Sequence, residues 1–209
     1  HREVHRIELG DKDKSKPDPV KRELIRKLIG DGIKSHDSWV LIGGPPCQAY
    51  SLAGRSRMLG VVRGDNEKKE AAERRKKIVH RDFHLDHRHL LYREYLSIIA
   101  DHWPPVFVME NVKGILSAKT AEGGRIFPQI RSDLENPSGA LSLVDEGQRY
   151  NIFSLRVQAS PEELNDRDFL LRSEDHGVSQ RRHRVILLGI RSDIQPQEVP
   201  VLKRSTGPS

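Results

Sequence analysis

The sequence has almost no cysteine, no long apolar run and a modest share of apolar residues, and each shortage excludes a class of protein. Its 209 residues include one cysteine, Cys47, so an internal disulfide is impossible and nothing points to an oxidising compartment. No apolar run approaches the roughly 20 residues that span a bilayer, and no signal-peptide stretch follows the basic start. We therefore expect a cytosolic protein that neither crosses nor binds a membrane.

Charge is plentiful where apolar residues are scarce. Hydrophobic residues make up 35% of the chain and charged residues 32%, which is enough apolar material for one domain with a buried core and charged excursions. The 36 basic residues outnumber the 30 acidic ones, for a net charge of +6. Such a balance favours a polyanionic partner through counterion release, although many basic proteins bind no nucleic acid.

Helical and strand patterns alternate along the chain. Apolar residues at helical spacing predict helices at 20–29 and 90–100 and a third around Ile126, Ile130 and Leu134. Short apolar runs predict buried strands at 39–42, 106–109, 150–157, 169–171 and 185–189. This alternation predicts an α/β fold with an open, mainly parallel sheet.

Residues 54–89 interrupt the alternation with a charged stretch that we expect to be a mobile insertion. It contains four histidines, His80, His84, His87 and His89. Their spacing suggests a metal site. However, no carboxylate-rich frame accompanies them, and we assign the single cysteine to a different role, so we expect no metal. We expect residues 1–192 to form one domain and residues 193–209 to form the start of a linker.

Two chemically useful side chains follow two of the predicted strands. Cys47 comes after 39–42, and Glu110 comes after 106–109. Because ligands of open α/β sheets bind beyond the carboxyl ends of the strands, both groups are expected in one cleft. Glycines and paired prolines at 43–46 make a rigid loop that presents the cysteine, whereas a lone cysteine without such a loop is more often a small buried apolar residue.

Three motifs, in order, resemble those of the DNA (cytosine-5)-methyltransferases. The stretch 43–51, Gly-Gly-Pro-Pro-Cys-Gln-Ala-Tyr-Ser, resembles the Pro-Cys-Gln nucleophile loop of that family. Residues 110–112 resemble its Glu-Asn-Val motif, and 180–184 fit its Gln-x-Arg-x-Arg motif. Residues 88–92 resemble a weaker segment of the family, with Leu91 at a position that touches the cofactor. The resemblance implies a Rossmann-like methyltransferase fold that uses S-adenosylmethionine.

The resemblance also implies a catalytic role for several residues. Cys47 would attack carbon 6 of cytosine, which makes carbon 5 nucleophilic toward the methyl donor. Glu110 would hold ring nitrogen 3 and the exocyclic amine, and Pro46 would accept from that amine and border the cofactor. Arg184 and Arg182 would contact the cytosine carbonyl and a phosphate.

Further residues are implied as supports of the same reaction. Gln48, Ser51 and Gln180 would contact DNA, and Asn111 would hold the nucleophile loop in place. The target base must leave the duplex, because carbon 6 cannot be reached within the stack. Double-stranded DNA is therefore the expected partner. The resemblance further implies a bacterial enzyme that acts at the nucleoid in DNA modification or restriction-modification. We expect its full-length form to be monomeric.

The resemblance covers most of residues 35–192 and departs from the family at both ends. Neither the glycine-rich loop nor the acidic residue that hold S-adenosylmethionine in the family is found before Trp39, and the chain begins with His1 rather than methionine. The chain also ends at Ser209, before the target-recognition region and the closing segment that follow the Gln-x-Arg-x-Arg strand in the family. The resemblance therefore implies that residues 1–192 are the central, catalytic part of a methyltransferase domain and that 193–209 begin a linker toward an absent target-recognition region. We expect this partial chain to be inactive in isolation. Two other readings remain: a DNA-binding segment without turnover, and a cysteine hydrolase, which would need a histidine partner that no motif supplies.

Overall fold

In the computed structural model, helices and strands alternate along the residues that the structure describes, which are 19–34, 38–46, 87–119, 123–144 and 146–205. The helices in these ranges are α1 (Pro19–Ile33), α2 (His87–His102), α3 (Ile126–Glu135) and α4 (Pro137–Ala140). The strands are β1 (Val40–Gly43), β2 (Val106–Val112), β3 (Tyr150–Ser154), β4 (Leu170–Arg172) and β5 (His183–Arg191). Single helical turns of the 3-10 type follow β2 at Lys113–Leu116 and β4 at Ser173–His176.

Every helix and strand predicted from apolar spacing is present, with shifted ends. The α2 helix begins at His87, three residues before the expected start, and the predicted insertion otherwise lies outside the described residues. The β2 strand continues past Met109 to Val112, so Glu110 and Asn111 belong to the strand instead of following it. Pro128 is tolerated in α3 because it lies in the first turn, where its missing N–H has no helical partner.

The described strands form one open, mixed sheet in the order β1-β2-β5-β3, with β4 also pairing β5. The β1 and β2 strands are parallel, and β5 runs antiparallel to β2, β3 and β4. Four strands thus point one way, and β5 lies between them in reverse. The predicted α/β class is confirmed, and the reversed strand brings the start of β5 to the same edge as the carboxyl ends of β1 and β2.

One face of the sheet carries the main core. The side chains of Phe107 and Met109 in β2 point to this face, because alternate residues of a strand share a face. Both are fully buried, as is Leu187 of β5. The α2 and α3 helices cover this face with the buried side chains Tyr92, Tyr95, Leu96, Ile99, Ile126, Phe127, Ile130 and Leu134. The α2 helix packs closely on the end of β1, because the ring of Tyr95 occupies the space that a side chain on Gly43 would fill.

The opposite face has a smaller apolar cluster of Phe153, Leu188 and Ile190. The segment after β5, predicted to begin a linker, runs back along this face, with Ile194 and Val199 packed on the cluster. Its backbone then bonds to Leu155 and Asp175, from the N–H groups of Leu202 and Ser205 at 2.8 and 2.9 Å. This segment therefore returns from the far end of β5 to the edge of the sheet where β5 begins.

A buried carboxyl group lies between α1 and α2. Glu94 is 5% exposed in a small pocket that Arg22, Asp101 and His102 also line. Burial raises the pKa of Glu94 above its ordinary value of 4.5, and the charge of Arg22 opposes that rise only in part. Between the ordinary and the raised pKa the folded chain binds more protons than the unfolded chain, so stability falls as pH rises through this window.

We expect Glu94→Gln to flatten this pH dependence. The substituted amide does not titrate, so the loss of stability as pH rises from about 4.5 should shrink, as measured by thermal unfolding over a pH series. Glu23→Gln, which removes an exposed carboxylate on α1, is the matched control and should leave the slope unchanged. Equal slopes for Glu94→Gln and the unsubstituted protein would show that the buried carboxyl does not cause the effect.

Candidate active site

The loop after β1 lies directly against the end of β2. Gly43 pairs with Met109 in the parallel register, which places Gly44 beside Glu110. A Cβ atom on Gly44 would be 3.2 Å from a carboxylate oxygen of Glu110, so a larger residue here would require that side chain to shift slightly. The carboxyl ends of the two strands therefore meet, as the sequence predicts.

Asn111 fastens the loop to the strand. Its side chain is 5% exposed, and its Nδ2 donates to the carbonyl of Pro45 at 3.0 Å. Its Oδ1 accepts from the backbone N–H of Val112 at 2.9 Å, which fixes the orientation of the amide. The backbone two residues before Cys47 is thus bonded to the residue after Glu110. Cys47, Gln48 and Ser51 themselves lie outside the described residues.

Glu110 forms an ion pair with Arg184. The Nε of Arg184 lies 2.6 Å from Oε1 of Glu110, and Nη1 donates to the carbonyl of His183 at 2.8 Å. The two residues are diagonal neighbours on one face, because Val112 pairs with Arg184 and Glu110 with Ile186 in the antiparallel register. The approach of Nε to the carboxylate lacks the angle of a hydrogen bond. The Glu110 side chain remains 41% exposed, so it is open to a bound molecule.

The rest of the 180–184 motif lies just outside the sheet. Gln180, Arg181 and Arg182 are exposed. The backbone N–H of Arg182 donates to the hydroxyl of Ser173 at 2.8 Å, and that hydroxyl donates to the carbonyl of Gln180 at 2.5 Å. An exposed amide and two exposed guanidinium groups on a held loop suit contacts with phosphate oxygens.

His183 faces away from Glu110 and binds Glu174. Its Nε2 lies 2.6 Å from Oε1 of Glu174, and this hydrogen bond lowers the pKa of Glu174 below its ordinary value. Sequence reasoning missed both Ser173 and Glu174. The polar run before Gly177, which adopts a left-handed conformation with φ of 80°, is typical of a turn and was the available signal.

The structure brings Asn111, Glu110 and Arg184 together, with Pro46 at the end of the same loop. Leu91 lies one turn before Tyr95 in α2 and is half-buried. Because α2 connects two parallel strands, its first turns lie toward the carboxyl edge of the sheet, where Tyr95 reaches Gly43. Leu91 and Pro46 could therefore supply apolar contacts to a molecule at this edge.

Among the side chains that the structure describes, no three metal-binding groups stand close enough to share an ion. His80, His84 and the side chains of His87 and His89 lie outside that set. None of the described helices is both long enough and apolar enough to span a membrane.

Known proteins with similar sequences are named as methyltransferases. Residues 76–138 match the family model of the C-5 cytosine-specific DNA methylases. A type II methyltransferase of Bacillus paralicheniformis is 33% identical over 165 residues, which is 79% of this chain and 28% of that protein. A type II methyltransferase of Fusobacterium nucleatum is 29% identical over 81% of this chain and 33% of its own length. The DNA-cytosine methyltransferase of Escherichia coli is 27% identical over 84% of this chain and 29% of its own length.

These matches and the geometry point the same way. The chain spans about a third or less of the length of these curated relatives. Within that span, the described residues of the three motifs meet at one edge of the sheet, where Asn111 contacts Pro45 and Glu110 pairs with Arg184. Over residues 76–138 the chain is similar to the C-5 cytosine-specific DNA methylase family, and over most of its length it is similar to the methyltransferases named above.

Proposed function

We propose that the complete protein transfers a methyl group to carbon 5 of a cytosine that has left the DNA duplex, with Cys47 as nucleophile. The observation that carries this proposal is the convergence of the loop leading to Cys47 with Glu110 and Arg184. Asn111 ties that loop to β2 at 3.0 Å, and Glu110 lies 2.6 Å from Arg184. A nucleophile, a proton-sharing acid and a cation are the groups that addition to a pyrimidine ring requires.

The residues divide the work of addition and elimination. The Cys47 thiolate forms a bond to carbon 6, and the electron pair of the 5,6 double bond moves toward carbon 5. Glu110 shares a proton with ring nitrogen 3, so the charge that develops on the ring is spread onto the acid. After methylation, a water molecule accepts the carbon-5 proton, the electron pair of that C–H bond re-forms the 5,6 double bond, and the Cys47 thiolate is expelled.

Arg184 supports the base from the side of β5. Its guanidinium already pairs with Glu110, and the same planar group can donate to the cytosine carbonyl without a change of backbone. Pro46 has a carbonyl but no N–H, and in this proposal its carbonyl accepts from the exocyclic amine. Arg182 and Gln180, exposed beside the site, contact the phosphates that flank the flipped base. Gln48 and Ser51 contact the DNA backbone.

S-adenosylmethionine is the methyl donor that we propose, and it supplies an electrophilic methyl group when bound. The apolar side chains of Leu91 and Pro46, both partly exposed at the carboxyl edge, fit the role of a wall for its nucleoside part. We place this activity in bacterial DNA modification or restriction-modification, in a monomeric cytoplasmic enzyme that acts at the nucleoid.

A methyl-transfer assay tests the proposal. The complete protein is incubated with double-stranded DNA and S-adenosylmethionine that carries a labelled methyl group, and the DNA is then digested to nucleosides. We expect the label in 5-methyldeoxycytidine. Label on the exocyclic nitrogen of cytosine or adenine, or in protein alone, would contradict the proposed reaction.

A DNA-binding segment without turnover is the second candidate. The exposed Gln180, Arg181 and Arg182 favour it as much as they favour catalysis, since phosphate contacts need no reaction. The same assay separates the two when DNA binding is measured in parallel. Salt-dependent binding of DNA with no methyl transfer, in protein shown to bind S-adenosylmethionine, would favour this second candidate.

We expect Asn111→Ala to slow methyl transfer by about tenfold. The substitution removes the bond to Pro45 and frees the loop that carries Cys47, and a hydrogen bond near the upper end of the usual net range, about 1.4 kcal/mol, corresponds to that factor. Asn136→Ala removes a comparable bond, to the N–H of Gly139 at 3.1 Å, far from the motifs and is the matched control. Equal kcat values for the two variants, per folded molecule, would rule out a special role for Asn111.

A further inference from the structure

The 3-10 turn Ser173–His176 makes hydrogen bonds to the exposed motif at residues 180–184. Pairing of β4 with β5 ends where Arg172 meets His183, and pairing of β2 with β5 ends where Val112 meets Arg184. Residues before His183 therefore extend beyond both neighbouring strands. A stretch without strand neighbours needs another source of order if its arginines are to meet a bound base at fixed positions.

Ser173 supplies part of that order. Its hydroxyl accepts from the N–H of Arg182 at 2.8 Å and donates to the carbonyl of Gln180 at 2.5 Å. Its own N–H donates to the carbonyl of Arg182 at 3.2 Å. One side chain thus bonds the backbone on both sides of Arg181, and it satisfies groups that the sheet no longer pairs.

Glu174 supplies the second contact. Its carboxylate holds the His183 ring at 2.6 Å, with side-chain exposures of only 25% and 28%. His183 lies between the two motif arginines in the chain, so fixing its ring on one face directs its neighbours to the other face. The side chain of Arg184 is found on that other face, against Glu110.

We propose that Ser173 and Glu174 are positioning residues that hold Arg182 and Arg184 in place for the flipped cytosine. This inference rests on the proposed function. The two residues touch neither base nor methyl donor, and they act only through the backbone of 180–184 and the ring of His183. Loss of either contact lets the arginines sample other positions, which weakens the DNA-bound state and slows attack on the base.

The test compares kinetic constants for variants of the complete protein. Ser173→Ala and Glu174→Ala should each raise KM for DNA and slow covalent trapping on 5-fluorocytosine DNA, so that kcat/KM falls roughly tenfold. Affinity for S-adenosylmethionine should be unchanged. Ser173→Thr keeps a hydroxyl and should restore most of the trapping rate, which also covers the case in which Ser173→Ala does not fold.

A second turn offers matched controls. Ser160 and Glu163 cap the 3-10 turn Pro161–Glu163 with one hydroxyl and one carboxylate, remote from the motif arginines. Ser160→Ala and Glu163→Gln should lower the melting temperature without raising KM for DNA. The inference fails if Ser173→Ala and Glu174→Ala trap DNA as fast as the unsubstituted enzyme, or if the controls lose as much. Failure of the unsubstituted enzyme to trap DNA would instead count against the proposed function.

Discussion

Cys47→Ser is expected to abolish methyl transfer while leaving DNA binding intact. A hydroxyl is a far weaker nucleophile than a thiolate near neutral pH, so the bond to carbon 6 does not form at a useful rate. Removal of a catalytic nucleophile typically lowers kcat by a factor on the order of 10⁴ to 10⁶. The measurement is transfer of labelled methyl groups to DNA under saturating donor.

The control for this variant is its affinity for DNA at two salt concentrations. In the proposed complex the phosphate contacts come from residues such as Arg182 and not from Cys47, so the affinity and its salt dependence should match those of the unsubstituted protein. Methyl transfer within a factor of about ten of normal would remove Cys47 from the mechanism, because a serine hydroxyl is too weak a nucleophile to replace a thiolate with so small a loss of rate.

Glu110→Gln should lower kcat by about 10²- to 10³-fold. Glutamine has the shape of the acid but cannot share a proton with ring nitrogen 3, and loss of one group that stabilises developing charge typically costs that much. The substitution also leaves the guanidinium of Arg184 without the carboxylate that lies 2.6 Å away. DNA affinity should change far less than kcat, since the group acts on the reacting base.

Glu135→Gln is the matched control for loss of an arginine–glutamate pair. Glu135 lies 3.2 Å from Nε of Arg131 at the end of α3, so the substitution removes the same kind of ion pair away from the motifs. We expect a small change in stability, of roughly 0 to 1 kcal/mol, and an unchanged kcat. A kcat for Glu110→Gln close to that of this control would contradict a proton-sharing role.

Local patterns were enough to predict which segments are helices and strands and where chemistry gathers. Apolar runs that end at Gly43 and near Glu110 place two side chains at strand ends, and parallel pairing brings those ends together. The predicted β2 strand ended too early. Glu110 is polar and Val112 is exposed, so the apolar pattern stops before them, but their backbone remains paired with β5 as far as the Val112–Arg184 pair. The apolar pattern reports which residues are buried, whereas the length of a strand depends on how far its backbone is paired.

The contacts that unite the site depend on pairing that no local pattern contains. Glu110 meets Arg184 only because β5 runs antiparallel to β2 in one register, and a shift by one residue would turn Arg184 to the other face. Ser173 and Glu174 escaped notice for a similar reason. Their partners, Arg182 and His183, lie across a turn whose closure depends on the left-handed Gly177.

The measurement that tests the account most directly is the site of attachment to DNA. The complete protein is incubated with S-adenosylmethionine and DNA that contains 5-fluorocytosine, whose carbon-5 fluorine blocks the final elimination, and the trapped complex is digested for mass spectrometry. We predict a peptide spanning Gly43 to Ser51 with the modified nucleotide bonded to the sulfur of Cys47. Attachment at any other residue, or no covalent complex in protein that binds both DNA and the methyl donor, would contradict the account.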